Sequence, residues 1–147
     1  MLSLVAPRAA HAQLADAKVL TLQAAKAILA AAEAEARKNN WSLSIAVVDT
    51  HGELLAFERM DDAPLTTIAI AQSKAMTAAR YKRPTKAIDS SVTAGRLQLL
   101  AFPGIMPVEG GVPIIVNGRY VGGVGASGAR SSEDAQVAKV GAAVVQP

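Results

Sequence analysis

The chain has 147 residues, of which 51% are hydrophobic but only 3% aromatic, and its net charge is +3. This length predicts a single domain, and a core built from Ala, Val, Ile and Leu favours further stabilisation by association into a homo-oligomer. The absence of cysteine excludes disulfides, thiol catalysis and Cys-ligated metal. The one cluster of cations, Arg80, Lys82 and Arg83, fits the last turn of a helix better than a nucleic-acid surface, because no interleaved aromatics accompany it.

The first residues, MLSLVAPRAAHAQ, end in a small-x-small pattern, Ala10-His11-Ala12, which is typical of a signal-peptidase site. We interpret residues 1–12 as the remnant of an export signal and residues 13–147 as one domain. This interpretation predicts a periplasmic or secreted protein, and a cytoplasmic protein with an ordinary flexible N-terminus is the alternative. No apolar stretch approaches the ~20 residues that a membrane span requires.

The first half of the chain predicts a helix, a hairpin and two further helices. Apolar residues recur at helical spacing from Leu22, with Thr21 as N-cap and Asn39-Asn40 as the stop. The runs WSLSIAVVD and ELLAFERM, joined at Thr50-His51-Gly52, predict two antiparallel strands. A second helix is expected over about residues 65–81, and a third, capped by Thr85, in PTKAIDSSV.

The second half predicts a short strand at residues 97–101, a glycine- and proline-rich loop, a second hairpin and a last helix. Asn117-Gly118 is the strongest short signal for a hairpin turn, and Ser131 or Ser132 is expected to cap the last helix. The order of elements therefore predicts an α+β architecture with helices on an antiparallel sheet.

The stretch GGVGASG contains the spacing Gly123-x-Gly125-x-x-Gly128, which resembles a dinucleotide-binding motif. A dinucleotide site needs a parallel βαβ unit and an acidic residue ~20 positions later, whereas this run follows the return strand of a hairpin and the chain ends too soon. We therefore reject the nucleotide interpretation. Glycines at 122, 123 and 125 instead predict a strand pressed against another backbone or a ligand plane.

Four separated stretches resemble the GlcG-like haem-binding domain family: AVVDTHGELLAFERMDDAP, AQSKAMTAA, PGIMPVEGGVPIIVNGRYVGGVGASGA and EDAQVAKVGAA. The resemblance runs from about residue 21 to residue 145. It implies a three-layer α/β/α, profilin-like fold around a five-stranded antiparallel sheet, and homo-oligomers. Members include extracytoplasmic haem-binding proteins, a haem-binding domain attached to a corrinoid adenosyltransferase, and proteins encoded beside glycolate oxidation genes.

Two candidate residues flank the second strand. His51, at the turn, could ligate haem iron through its imidazole, and an exposed turn histidine is the alternative. Arg59 could clamp a carboxylate such as a haem propionate, or pair with Asp61 or Asp62. Asp49 is expected to cap the turn. Other side chains that could ligate iron, although packing is their expected role, are Met60, Met76, Met106, Tyr81 and Tyr120.

Lys74 lies in the middle of a predicted close-packed helix, where an ammonium needs either a partner or a route to solvent. Glu109-Gly110-Gly111 places a carboxylate and exposed backbone N–H groups on an irregular loop, which predicts either a ligand site or a loop that needs positive φ.

Two functions follow from these residues. The first is binding of haem or a similar tetrapyrrole against the glycine-rich hairpin, with Arg59 or Lys74 at the propionates, for haem capture, sensing or degradation. The second is an enzyme, or an accessory to one, that handles a small carboxylate, with Glu109 as the acid–base residue and Lys74 or Arg59 as the clamp. A scaffold without ligand is a third possibility.

Overall fold

The computed structural model describes residues 17–145, so the predicted export remnant at residues 1–12 lies outside the described residues. Four helices and four strands follow one another in an α+β order, as predicted. The elements are α1 (Leu22–Lys38), β1 (Ser44–Val48), β2 (Leu54–Arg59), α2 (Thr67–Tyr81), α3 (Thr85–Thr93), a 3-10 helix (Leu97–Ala101), β3 (Gly111–Val116), β4 (Arg119–Ser127) and α4 (Ser131–Ala143).

The strands form one antiparallel sheet in the order β2-β1-β4-β3, with four strands rather than the five that were expected. The strand predicted at residues 97–101 is wrong, because this segment is a 3-10 helix. Gly95 turns the chain at a φ of 96°, and the backbone N–H groups of Leu99 and Phe102 then donate three residues back, to Arg96 and Leu99. Local hydrogen bonds therefore replace the ladder that a fifth strand would have made.

Helices cover both faces of the sheet, and the side chains of β1 show which helices lie on which face. Ile45 and Val47 pack with α1 and α4, whereas Ala46 and Val48 pack with α2. All five residues of β1 are buried, because the strand lies inside the sheet and helices cover both of its faces. The result is a layer of α1 and α4, the sheet, and a layer that contains α2.

The α1/α4 face is an aliphatic core in which side chains interdigitate. Thr21 caps α1 as predicted, since its hydroxyl accepts from the backbone N–H of Ala24 at 3.2 Å. The largest fully buried apolar side chains of this face are Ile28, Leu43, Ile45, Val47, Ile114, Val124 and Val137.

The α2 face is built from small residues, and the backbones of helix and sheet touch there. A Cβ on Gly125 would overlap the backbone of Ala71 and Ala75, and one on Gly123 would overlap the carbonyl of Ala75. The predicted close approach to another backbone is thus confirmed, and that backbone belongs to α2 at Gly123 and Gly125 and to Val48 of β1 at Gly122. The glycine run has a packing role in the structure.

Two predicted N-caps are wrong. Thr85 is the first residue of α3 rather than its cap, and its hydroxyl instead accepts from the backbone N–H of Gly111 at 2.9 Å. Ser131 is likewise the first residue of α4, and Arg130 precedes it as the N-cap. There the Glu133 carboxylate accepts from the Arg130 backbone N–H at 2.9 Å, so an acidic residue inside the first turn satisfies the helix start.

Candidate functional site

Lys74 and Asp134 form a buried ion pair that joins the two helix layers. The Nζ of Lys74, on α2, lies 2.8 Å from Oδ2 of Asp134, on α4, and donates a second hydrogen bond to the carbonyl of Ala126 at 3.1 Å. The two side chains are 2% and 3% exposed. Asp134 also accepts from the backbone N–H of Ala129 at 3.0 Å. The ammonium therefore has a partner, which is one of the two alternatives that the sequence left open, and it offers no exposed surface to a ligand.

Burial raises the pKa of the Asp134 carboxyl above its ordinary value of 3.8. The hydrogen bond and the charge of Lys74 act in the opposite direction, as does the backbone N–H of Ala129, but they do not cancel the cost of removing the carboxylate from water. The strength of the ion pair between Lys74 and Asp134 therefore depends on whether Asp134 is protonated.

The Glu109-Gly110-Gly111 loop packs directly against Lys74. Gly110 has a φ of 131°, and a Cβ added there would lie 2.6 Å from the Lys74 Nζ. A Cβ on Gly111 would overlap the backbone carbonyl of Lys74. The structure therefore brings these predicted residues together, and it gives the two glycines a packing role around the buried ammonium.

Glu109 faces away from that pair, into an open depression lined also by Ser90 and Thr93. Its carboxylate accepts from the Nζ of Lys86 at 3.0 and 3.2 Å, and its backbone N–H donates to Asp89 at 3.2 Å. The cation beside Glu109 is therefore Lys86, a residue that the sequence did not single out, rather than Arg59 or Lys74.

Arg59 and His51 lie at opposite ends of β2: His51 precedes the strand and Arg59 ends it. Arg59 is the last residue of β2 and donates to the carbonyl of Ala63 at 3.4 Å, and neither Asp61 nor Asp62 pairs with it in the part of the chain that the structure describes. At ~3.3 Å per residue, six strand residues separate the two positions by roughly 20 Å. The structure does not bring these two candidates to one site.

His51 sits at the tip of the β1–β2 turn, with 84% of its side chain exposed. Asp49 caps this turn, as predicted, because its Oδ1 accepts from the backbone N–H groups of His51 at 2.8 Å and Glu53 at 2.9 Å. Although partial burial acts to raise the pKa of Asp49, these N–H donors and the neighbouring imidazole outweigh it, and the pKa is lowered. The turn is therefore fixed while the imidazole stays accessible.

A cleft of about 320 Å³ lies beside His51. The β3–β4 hairpin contributes Arg119 and Tyr120 to it, and the segment before α1 contributes Lys18. The Nζ of Lys82 lies 5.8 Å from the centroid of the Tyr120 ring. The apolar part of the lining consists of Ala17, Val19, Leu20 and Val121. Imidazole and phenol are both ligands of haem iron, and the cations suit carboxylates.

The sequence missed the neighbours of His51 and the partner of Lys74, because both depend on contacts between distant segments. Antiparallel pairing places Val48, the last residue of β1, opposite Gly123 in the middle of β4, so the turn that follows β1 lies beside the start of β4. Asp134 was visible only as an acidic residue in the first turn of a helix. Within residues 17–145, no group of three or more His, Asp or Glu side chains is arranged to hold a metal ion, and no helix is long and apolar enough to cross a membrane.

Comparison with known proteins agrees with this architecture. Residues 20–143 match the family described as haem degrading protein HbpS-like. Protein GlcG of Escherichia coli strain K12 is 49% identical over 109 residues, which cover 74% of this chain and 81% of GlcG. The crystal structure of a double mutant of Streptomyces reticuli HbpS has a TM-score of 0.85 and 34% identity, covering 99% of this chain and 100% of that one. The crystal structure of a PduOC:haem complex has a TM-score of 0.79 and 25% identity, covering 88% and 100%. The GlcG-like resemblance is thus confirmed, and the chain belongs to the HbpS-like family of haem-degrading proteins.

Proposed function

We propose that this protein binds haem in the cleft between His51 and Tyr120. Membership of the HbpS-like family and the similarity to the fold of the PduOC:haem complex support a haem ligand. The choice of site depends on the lining of the cleft, which combines an exposed imidazole, a phenol, apolar side chains and the two cations Lys18 and Arg119 within one concave surface. This combination suits a flat apolar ring that carries both a metal and carboxylates.

The residues of the cleft divide into those that suit the iron and those that suit the propionates. His51 offers an imidazole from a turn that Asp49 holds in place, and Tyr120 offers a phenol from the facing hairpin. Lys18 and Arg119 line the same cleft and are the proposed partners of the propionates. When bound, haem would supply its own redox chemistry, while this chain binds it, orients it and limits the access of water.

From the sequence, Arg59 or Lys74 was expected to bind the propionates, and we propose other partners for them. Lys74 is buried against Asp134, so reaching a surface ligand would leave a buried carboxylate without its cation. Arg59 is the last residue of β2, roughly 20 Å away from the turn that carries His51.

Titration of the purified protein with haemin, followed by the Soret band, tests this proposal. We expect His51→Ala and Tyr120→Phe to change the band position or to abolish binding, and Tyr81→Phe, a tyrosine outside the cleft, to leave it unchanged. Lys18→Ala should keep the band shape and weaken binding by about tenfold or more, because a lost charge-assisted contact costs ~1.5–3 kcal/mol. Absence of haemin binding by the wild-type protein would reject the function. Binding that is unchanged in all cleft variants would reject the site.

We also propose that the protein is a homo-oligomer. Its aromatic content of 3% limits the volume of the core, and large apolar side chains remain exposed, among them Leu22 at 53%, Leu54 at 49% and Leu65 at 73%. β2 and β3 are the outer strands of the sheet and offer their edges to a partner. Light scattering should give at least twice the mass of 15.1 kDa, and a monomer mass at working concentration would contradict the proposal.

A further inference from the structure

A second cavity, of about 210 Å³, lies where the end of α2, the middle of α3 and the 3-10 helix meet. Aromatic and aliphatic side chains form most of its wall: Tyr81, Phe102, Ile88, Leu99 and Ile105. The rings of Tyr81 and Phe102 are stacked, with centroids 6.3 Å apart and planes 23° from parallel. The wall is therefore both apolar and partly flat.

The Tyr81 hydroxyl already has a hydrogen-bond partner within the protein. It donates a hydrogen bond of 2.7 Å to the carbonyl of Pro103, which holds the ring in place and ties the end of α2 to the loop after the 3-10 helix. The ring contributes a face to the cavity while its polar end is already satisfied. A ligand at this wall would be held by packing rather than by that hydroxyl.

Two arginines, Arg83 and Arg96, also line the cavity. Neither guanidinium has a carboxylate partner or a hydrogen bond among residues 17–145. Four other cations among the described residues are paired with acids: Arg37 with Glu33, Lys74 with Asp134, Arg80 with Glu53 and Lys86 with Glu109. Two guanidinium groups beside one apolar cavity therefore provide uncompensated positive charge, and a guanidinium matches the geometry of a carboxylate.

The volume limits the size of the ligand. An apolar cavity of about 150 Å³ holds a benzene molecule in another protein, so a cavity of 210 Å³ suits a single six-membered ring with one small substituent. We propose that this cavity binds a small aromatic monocarboxylate, with its ring against Tyr81 and Phe102 and its carboxylate at Arg83 and Arg96. The cavity shares no lining residue with the His51 cleft, so this site is separate from the proposed haem site.

Calorimetry and NMR titration of the full chain with benzoate test the proposal, with two comparison ligands. Benzyl alcohol keeps the ring and lacks the charge, and acetate keeps the charge and lacks the ring. We expect benzoate to bind more tightly than either and to shift the ring resonances of Tyr81 and Phe102. Preloading with haemin should leave benzoate binding unchanged, which separates this site from the proposed haem cleft.

Two variants and a matched control identify the cations. Arg83→Gln and Arg96→Gln should each weaken benzoate binding by about tenfold or more. Lys139→Gln removes the same charge from an exposed position on α4 and should have no effect. Equal weakening of benzoate binding in all three variants would show that net charge alone explains the effect, and it would overturn the proposal. No benzoate binding at millimolar concentration, or equal binding of benzyl alcohol, would overturn it as well.

Discussion

The two faces of the sheet are packed in opposite ways. On the α1/α4 face, long aliphatic side chains such as Ile28 and Ile45 fill the space between helix and sheet. On the α2 face, glycines of β4 lie against the backbone of α2 at Ala71 and Ala75, and little side-chain volume separates the two. The α1/α4 face is stabilised by large side chains that fill the space between helix and sheet. The α2 face is stabilised by small residues that let the backbones of helix and sheet touch. Added side-chain volume should therefore destabilise the α2 face more than removal of a single methylene destabilises the α1/α4 face.

The largest expected effect is that of Gly125→Ala. The added Cβ would overlap the backbone of α2 at two residues, and a helix backbone cannot move aside as a flexible side chain can. We expect a loss of about 4 kcal/mol or more in the free energy of unfolding, measured by denaturant titration.

Gly118→Ala is the matched control for that substitution. A Cβ at Gly118 meets nothing within 4 Å, and only its φ of 74° opposes an alanine there. The expected loss is about 1–2 kcal/mol, the cost of a left-handed alanine. If the two variants lost equal stability, close backbone packing would not explain the glycines of β4.

The next effect concerns the ion pair that joins the two layers. Asp134→Asn removes the charge opposite Lys74 and leaves a buried ammonium with the Ala126 carbonyl as its remaining partner. Breaking a buried pair in this way costs about 3–5 kcal/mol, and denaturant titration at neutral pH measures it. A loss below about 1 kcal/mol would show that the ammonium reaches water when its partner is removed.

Lys74→Met tests the pair from the other side, and its effect depends on pH. Without Lys74, the hydrogen bond and charge that lower the pKa of Asp134 are gone, so burial raises this pKa further above 3.8. The folded state then keeps a proton that the unfolded carboxyl loses. The variant's stability relative to wild type is therefore highest below pH 3.8 and falls as pH rises through the folded pKa, by up to about 1.4 kcal/mol per pH unit. The double variant Lys74→Met with Asp134→Asn should lose this slope, and persistence of the slope would assign it to another group.

Local patterns in the sequence predict much of this fold, and contacts between distant segments account for what they miss. The hairpin at Asn117-Gly118 and the capped start of α1 at Thr21 depend on neighbouring residues, and both are observed. Residues 97–101 have the composition of a strand, yet no sheet edge pairs with them, and they form a 3-10 helix instead. The residue type of Lys74 indicated that it needed either a partner or a route to solvent, but its partner Asp134, 60 positions away, became identifiable only after the layers were assembled.

The smallest expected effect compares two neighbouring residues of β1 that point to opposite faces. Ile45→Val removes one methylene from the aliphatic face, where the surroundings relax in part, and should cost about 0.5–1.5 kcal/mol. Ala46→Val adds volume on the face where Gly125 is its cross-strand neighbour and α2 packs closely. Its expected cost is about 1–3 kcal/mol, because added volume there forces the helix away from the sheet. Chemical denaturation of both variants under one condition measures the difference. A larger loss of stability for Ile45→Val than for Ala46→Val would contradict the division of the sheet into a face packed by large side chains and a face packed by small residues.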